Sequence, residues 1–531
     1  MLAGLLLHFL VDDNEPDAAR SAGAAFVFFG AFSFALTLDR ERWKEAAVFA
    51  GGLGLVMAGL AWHWVRAKDS AAGEEFAFAA AVFASVIAVP LFQAGFHKTR
   101  LATDYRLTHF HVWTDAITGA GAFAFTGLSW LMLVLLDQLL QLVGITLIDW
   151  LFDREWFGFA WTGGAFGAAL GVLRNNLKVI GSLQHVVLLV LSLLAVPLAL
   201  ALIVFLVALL ASGGQALWDK TDAATPVLLA CAVGCFVLAN AIVRDDEDAI
   251  TGNTLMRLTG VVLAAGVLPL AVFAAVSMGL RIGQHGLTPE RLWAAIAVGV
   301  AVAYGLAYVV GMIRGKRAGW TVNLRRANLL LAAGTSLLAL LLALPLIDFG
   351  AVSARSQVAR LDGGRVSAAQ FDFTALKWDF GAAGQRALAR LAGRPGEVGE
   401  LARAAQAQTE RPYTSFAPVP AEGFIGELVV QSDDPAFREL LIAYFATAPW
   451  TCTVSCVAVD LGMTDGGARE VVLVDGYQYQ RLSLDPQGRD TRGVQQAEVL
   501  PDFDANARVE LREESRRYVY VNGRRVGEPL D

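Results

Sequence analysis

Side chains able to do chemistry are scarce in this chain. The densest group is His97-Lys98-Thr99-Arg100, followed by His109-Phe110-His111-Val112-Trp113-Thr114-Asp115. Two histidines two positions apart, with a carboxylate four beyond, offer two imidazole nitrogens and an oxygen. That is a zinc donor set if a loop folds back on itself. No spacing rule imposes such a fold here, and His and Trp beside lipid headgroups are ordinary at a membrane interface. No metal and no cofactor is therefore assigned. Contact of Lys98, Arg100 and the histidines with a phosphate or a headgroup fits the chemistry better. His109, His111 and Asp115 are the ligand-binding candidates, joined by Arg355 and Arg360, two cations just past the last apolar run.

Other motifs are weaker. Asp460-Leu-Gly-Met-Thr-Asp465-Gly466-Gly467 has the acidic flavour of a calcium loop but not its alternating oxygen ligands, and a hairpin turn is the ordinary reading. No nucleophile elbow, phosphate loop, dinucleotide fingerprint or His-Glu-x-x-His is present. No catalytic residue is assigned, and the reading leans away from an enzyme. A membrane-bound transferase would need Asp149 and Asp153 to converge with Arg355 and Arg360. Cys231 and Cys235 lie in an apolar run and read as packing residues. Cys452 and Cys456 would sit about 13 Å apart in a continuous strand, too far to bridge. Their pairing is thus not the first expectation, although it stays open outside the cytoplasm.

The elements that must position these residues are mostly membrane helices. The 531 residues are 56% hydrophobic and 17% charged, against about half and a quarter in soluble domains. Mean hydropathy is +0.52. A net charge of −7 with no basic concentration argues against nucleic acid as a partner. Runs near the ~20 residues needed to cross a bilayer lie at 22–38, 46–65, 76–96, 115–136, 156–173, 180–211, 225–243, 256–280, 291–313 and 327–347, which predicts ten spans. The run at 180–211 exceeds one crossing and is expected to tilt, protrude or bend at Pro197. Asp137–Phe152 reads as an amphipathic interfacial helix. Met1–Val11 is too short to span and lacks the basic region and cleavage site of a signal peptide. It reads as a short interfacial helix, or as the tail of a helix that begins upstream.

Within the spans, Gly163, Gly167 and Gly171, and the cluster Gly51, Gly52, Gly54 and Gly59, predict close helix packing. Asp115, Asp137, His185 and Arg257 fall near run ends. Transport driven by a mid-membrane carboxylate is accordingly disfavoured. Loops after odd-numbered spans carry most of the Lys and Arg, including Arg314, Lys316, Arg317, Arg325 and Arg326, which places them in the cytoplasm. Everything past Gly350 is then extracytoplasmic. Four segments follow: a short apolar piece (1–21), a transmembrane helical domain (22–349), a juxtamembrane helical segment and linker (350–420), and a β-rich extracytoplasmic domain (421–531). In the last, a helix at Asp434–Ala446 is flanked by strands at Gly426–Gln431, Thr451–Asp460, Arg469–Asp475, Tyr477–Leu484 and Arg508–Arg512. Arg517-Tyr-Val-Tyr-Val-Asn-Gly-Arg-Arg-Val526 carries the strongest short hairpin signal.

Asp348-Phe-Gly-Ala-Val-Ser-Ala-Arg-Ser-Gln-Val-Ala-Arg-Leu361, Gly364-Arg-Val, Phe371-Asp-Phe, His111-Val-Trp-Thr-Asp115, Glu155-Trp-Phe-Gly158 and Thr288-Pro-Glu-Arg-Leu-Trp293 together carry a resemblance. Over most of residues 1–400 the chain resembles the bacterial membrane proteins grouped as domain of unknown function 4153. The resemblance implies a multi-pass inner-membrane protein with an extracytoplasmic C-terminal portion, and it brings neither an activity nor catalytic residues. The expected fold is a polytopic all-α bundle with a small α+β C-terminal domain. The expected function is that of an envelope-associated binding or scaffold protein, the alternative being a transporter or lipid-handling protein. Its partners would be the lipid bilayer and an envelope protein or small ligand. Oligomeric state is left open.

Overall fold

The computed structural model describes residues 1–11, 17–68, 70–212, 224–245, 253–315, 319–411, 428–431, 434–447, 456–464, 467–475, 478–486, 488–490, 498–499, 517–521 and 524–530. The chain divides into two units, Met1–Thr409 and Glu410–Asp531.

The first unit is helical: α1 (Leu2–Leu10), α2 (Ala18–Thr37), α3 (Trp43–Ala67), α4 (Glu74–Gln93), α5 (Phe96–Thr99), α6 (Tyr105–Gln141), α7 (Leu147–Phe152), α8 (Glu155–Asn175), α9 (Leu177–Ala211), α10 (Ala224–Val243), α11 (Thr254–His285), α12 (Pro289–Gly315), α13 (Trp320–Ala343), α14 (Phe349–Asp362), α15 (Phe373–Trp378), α16 (Gly381–Ala392) and α17 (Glu397–Ala407). Among the described residues ten of these, α2–α4, α6 and α8–α13, are long and apolar enough to cross a membrane, in the expected order. Their outer faces expose Leu and Val freely, as at Leu128, Leu193 and Val204, which suits hydrocarbon rather than water as the surrounding solvent. The protein is a multi-pass membrane bundle.

Two local expectations shift. Asp137–Phe152 is not one interfacial helix: α6 continues to Gln141, and only Leu147–Phe152 forms a separate short helix. The apolar run through Leu131–Leu140 contains no breaker, and the chain turns at Gly144, whose φ of 77° suits glycine. Helix α9 continues without interruption through Pro197. Met1–Val11 forms α1, which lies against α8. A Cβ at Gly4 would collide with the Phe159 carbonyl oxygen, and one at Gly163 would meet the Gly4 Cα at 3.3 Å. The small-residue expectation thus holds at Gly163 and also at Gly54, which touches Phe26 and Gly30. Gly51, Gly52, Gly59, Gly167 and Gly171 face open space instead.

Past the last span, α14–α17 build their own core from Ala354, Phe371, Phe373, Leu376, Phe380, Leu388, Leu391 and Ala402. Asp348 caps α14 by accepting from the Ala351 amide at 2.8 Å, and Asp372 caps α15 by accepting from Ala375 at 2.9 Å. The Ala382 amide donates to the Ser70 carbonyl at 2.8 Å, which ties this layer to the chain between α3 and α4.

The second unit is a small α+β fold of β1 (Leu428–Gln431), α18 (Pro435–Thr447), β2 (Cys456–Met463), β3 (Arg469–Asp475), β4 (Gln478–Leu484) and β5 (Glu498–Val499), with sheet order β1-β2-β3-β4-β5. Strands β1 and β2 are parallel, so α18 is their crossover, and the remaining pairs are antiparallel. Phe437, Leu441, Tyr444 and Phe445 of α18 cover Cys456, Ala458, Val471, Leu473, Leu482 and Leu484. A second sheet pairs β6 (Arg517–Val521) with β7 (Arg524–Leu530). These are the strands expected around Asn522-Gly523, a pair that itself lies outside the described residues, as do the strand expected at Arg508–Arg512 and Cys452. Cys456 is disulfide-bonded, whereas Cys231 and Cys235 are free. The distance argument against a bridge assumed a strand over Thr451–Asp460, of which residues 451–455 lie outside the described residues.

Candidate functional site

Helix α6 carries the candidates His109, His111 and Asp115. It starts under a cap in which Asp104 accepts from the Arg106 amide at 2.9 Å, then runs for 37 residues, about 55 Å at 1.5 Å per residue. That exceeds the ~30 Å hydrocarbon thickness, so its first turns lie toward one interface. The three residues are therefore helical and not part of a loop able to fold around a metal. No group of three or more His, Cys, Asp or Glu able to hold a metal occurs among the described residues.

His109 is the buried member, 4% exposed. The Trp113 indole Nε1–H donates to its Nε2 at 3.1 Å. Indole only donates, so Nε2 must accept and the neutral ring carries its proton on Nδ1. That nitrogen is buried with no hydrogen-bond partner. Its ring packs 5.8 Å from Tyr105, which opens onto a polar cluster joining four helices. Asn240 Nδ2 of α10 donates to the Tyr308 hydroxyl of α12 at 2.7 Å, and that hydroxyl donates to Asn328 Oδ1 of α13 at 2.7 Å. Asn328 Nδ2 donates to Asn240 Oδ1 at 2.6 Å and to the Tyr105 hydroxyl at 3.2 Å. Buried Arg325 of α13 donates to the carbonyls of Val243 at 2.9 Å and Arg244 at 3.1 Å, closing the C-terminus of α10. A polar group in hydrocarbon is costly unless paired, and this network pairs Asn240, Tyr308 and Asn328. The sequence reading missed all three. Their only signal is a polar side chain within an otherwise apolar run, shared in two of the runs with Tyr304 or with Thr335 and Ser336.

Asp115 meets α4, where Gln93 Nε2 donates to its Oδ1 at 3.2 Å and to the Leu36 carbonyl at 2.8 Å. The other carboxylate oxygen is buried without a hydrogen-bond partner. Thr114, Thr118, Thr126, Ser129 and Asp137 line one face of α6 at helical spacing, all buried. Asp115 and Asp137 thus lie within a spanning helix, although they fall at the ends of the apolar run. His111 is half-buried and lies outside the Tyr105 cluster.

Farther along α6 a cavity of ≈ 780 Å³ opens between α1, α2, α6 and α8. Its wall is aromatic: Phe28 and Phe32 of α2, Phe123 and Trp130 of α6, Phe159 and Phe166 of α8. Trp130 Nε1 donates to Thr162 Oγ1 and Trp161 Nε1 to Ser129 Oγ, both at 3.1 Å, two rungs that fix α6 against α8. His8, Thr126, Glu155 and Thr162 supply the few polar groups. Size and lining suit an elongated apolar ligand.

Arg355 and Arg360 are not brought to this helix. Arg355 is exposed on α14. Arg360 donates to the carbonyls of Gly283, at 2.9 Å, and Gln284. Gln357 Nε2 donates to those of His285 and Leu287, each at 2.9 Å. Arg360 is thus committed to the C-terminal end of α11. In the second unit Asp460 is engaged within the protein: its Oδ1 accepts from the Gly462 amide at 3.0 Å and from Arg469 Nε at 3.1 Å, while Asp465 and Gly466 lie outside the described residues. Arg469 also pairs with Asp434 at 2.6 Å. These carboxylates hold the Arg469 guanidinium well above its ordinary pKa, and Arg469 holds the Asp434 carboxyl below its own.

No curated protein and no solved structure matches the chain. The sequence model of one family, described as Domain of unknown function (DUF4153), matches residues 23–391, from α2 through most of α16. That span takes in α6, the four-helix polar cluster and both arginines of α14, and covers well over half of the chain, so the chain belongs to this family.

Proposed function

We propose that the protein handles lipid in the bacterial inner membrane, taking an acyl chain into the aromatic-walled cavity between α1, α2, α6 and α8. The observation that carries this reading is the cavity itself, ≈ 780 Å³ with a predominantly apolar lining inside a body whose surroundings are hydrocarbon. The lipid-handling reading therefore stands ahead of the scaffold reading. The test is native mass spectrometry of the full-length protein released gently from membranes. Gly167 lines the cavity, and a Cβ added there would have no atom within 4 Å, so Gly167→Phe fills the space without a backbone clash. The wild type is expected to retain a diacyl lipid, and the variant at least about tenfold less of it, since a ring in the cavity removes most apolar contact. Equal retention by both proteins would sink the reading.

A second role is supported by the terminal unit. Basic loops after odd-numbered spans favour an extracytoplasmic position for residues 421–531, and the Cys456 disulfide suits an oxidising compartment. A cleft of ≈ 390 Å³ edged by Glu439, Leu440, Met463 and Arg469 makes a binding role for this domain toward an envelope partner or small ligand the companion reading. Substituting Met463, 66% exposed, by Glu is expected to abolish capture of that partner without changing expression. Unchanged capture by this variant would exclude the cleft.

A further inference from the structure

A second cavity, of ≈ 500 Å³, lies between α3, α4 and α13 and shares no lining residue with the aromatic one. Its inner end reaches Val56, Ala84 and Leu337, beside Ser85 and Ser336, whose hydroxyls are spent on the Ala81 and Ala84 carbonyls; its outer end is formed by Phe96, His97 and Arg100. From Ala84 to Phe92 the α4 wall measures about 12 Å at 1.5 Å per residue, so the slot runs from a helix end toward mid-membrane. One wall is a stack of rings: Phe49 on Phe92 at 4.1 Å, and Phe92 on His97 at 4.8 Å. Gly52 leaves the side of α3 open, with nothing within 4 Å of a Cβ position.

The charges at the outer end are unequal in their commitments. Lys98 is held by Glu45 at 2.7 Å, which also lies 3.6 Å from His97 Nε2. Both His97 ring nitrogens are buried without a hydrogen-bond partner. Arg100 is exposed, and its side chain has no hydrogen bond or ion pair to the described residues. Its backbone sits at φ 52°, a conformation a non-glycine residue keeps only when its surroundings impose it. The result is an apolar slot under an unneutralised cation, beside an imidazole that makes no hydrogen bond and whose Nε2 lies 3.6 Å from the Glu45 carboxylate.

We propose that this slot is a binding site for an anionic phospholipid, with one acyl chain between α3, α4 and α13 and the phosphate against Arg100 and His97. Charge complementarity selects the headgroup, and the dry depth of the slot selects a lipid over free phosphate. The site does not depend on the aromatic cavity being a lipid site.

The test uses the full-length protein in mild detergent, titrated with phosphatidylglycerol or phosphatidylcholine and read by native mass spectrometry. Wild type is expected to hold one phosphatidylglycerol about fivefold more tightly than phosphatidylcholine, the preference one interfacial basic residue supplies. Arg100→Gln should erase the preference, Gly52→Leu should weaken both lipids by at least about fivefold by filling the slot, and millimolar inorganic phosphate should displace neither. A preference that survives Arg100→Gln, wild-type binding by Gly52→Leu, or displacement by phosphate each overturns the proposal. The two variants change different atoms, so a folding failure in one leaves the other decisive. Gly167→Phe should leave this binding intact, which separates the two sites.

Discussion

At the scale of single residues, the Tyr308 hydroxyl is the hinge of the polar cluster, accepting from Asn240 and donating to Asn328. Tyr308→Phe leaves both amides short of a partner in a water-free interior. Each lost bond is worth roughly 0.6–2 kcal/mol within membranes, so the variant is expected to unfold at lower denaturant, by about 1–3 kcal/mol. Reversible unfolding in mixed detergent measures this, and an unchanged midpoint would contradict the network. Asp434 offers a pH-dependent counterpart. Its carboxyl is depressed chiefly by its hydrogen bond to Arg469. A depressed folded pKa contributes stability that is present above the unfolded value and lost as pH falls through the folded one. Amide protection factors in β2 and β3, corrected for the intrinsic pH dependence of exchange, should therefore fall as pH drops below the ordinary carboxylate range. Asp434→Asn should remove part of that acid dependence, and acid dependence identical to wild type would refute it.

At the scale of elements, two contacts decide how helices are held. Helix α1 approaches α8 closely because Gly4 and Gly163 let the backbones meet. Gly4→Leu is expected to detach α1, so a cysteine placed at His8, whose ring packs 5.7 Å from Phe159 of α8, should label faster with a soluble maleimide in that background than in the wild type. Equal labelling would mean α1 is held by something else. Arg360 binds the last carbonyls of α11 from α14. Its planar fork meets two acceptors at once, which an ammonium cannot reproduce. Arg360→Lys should thus raise hydrogen exchange around Gly283–Leu287 nearly as much as Arg360→Ala, and full rescue by Lys would show that charge alone suffices.

At the scale of the molecule, orientation decides which solution the second unit meets. The basic loops argue that Arg314–Arg326 stays in the cytoplasm and that the chain emerges outside after α13. Alkaline phosphatase fused after Gly350 should then be active and after Gly315 inactive; the opposite pattern would turn the protein over and place the anionic-lipid slot in the other leaflet. Retention of a disulfide at Cys456 in cells, read by alkylation before and after reduction, should follow the same orientation.

Ten crossings and their order were legible in the chain because hydrocarbon acts on each segment separately: about 20 consecutive apolar residues satisfy it whatever their neighbours do. The β6–β7 pairing was legible because alternation and a two-residue turn are local. The same locality explains what was not legible. Tyr105 and Asn328 meet across 223 positions, each close to charged neighbours in the chain, Arg106 and Arg326, and their pairing depends on how four helices pack. Arg360 reads as a free cation until α14 is laid against the end of α11. Solvent sorts residues one at a time, whereas hydrogen-bond partners and cavities are properties of the gaps between helices, and those gaps exist only once side-chain shapes have set the packing.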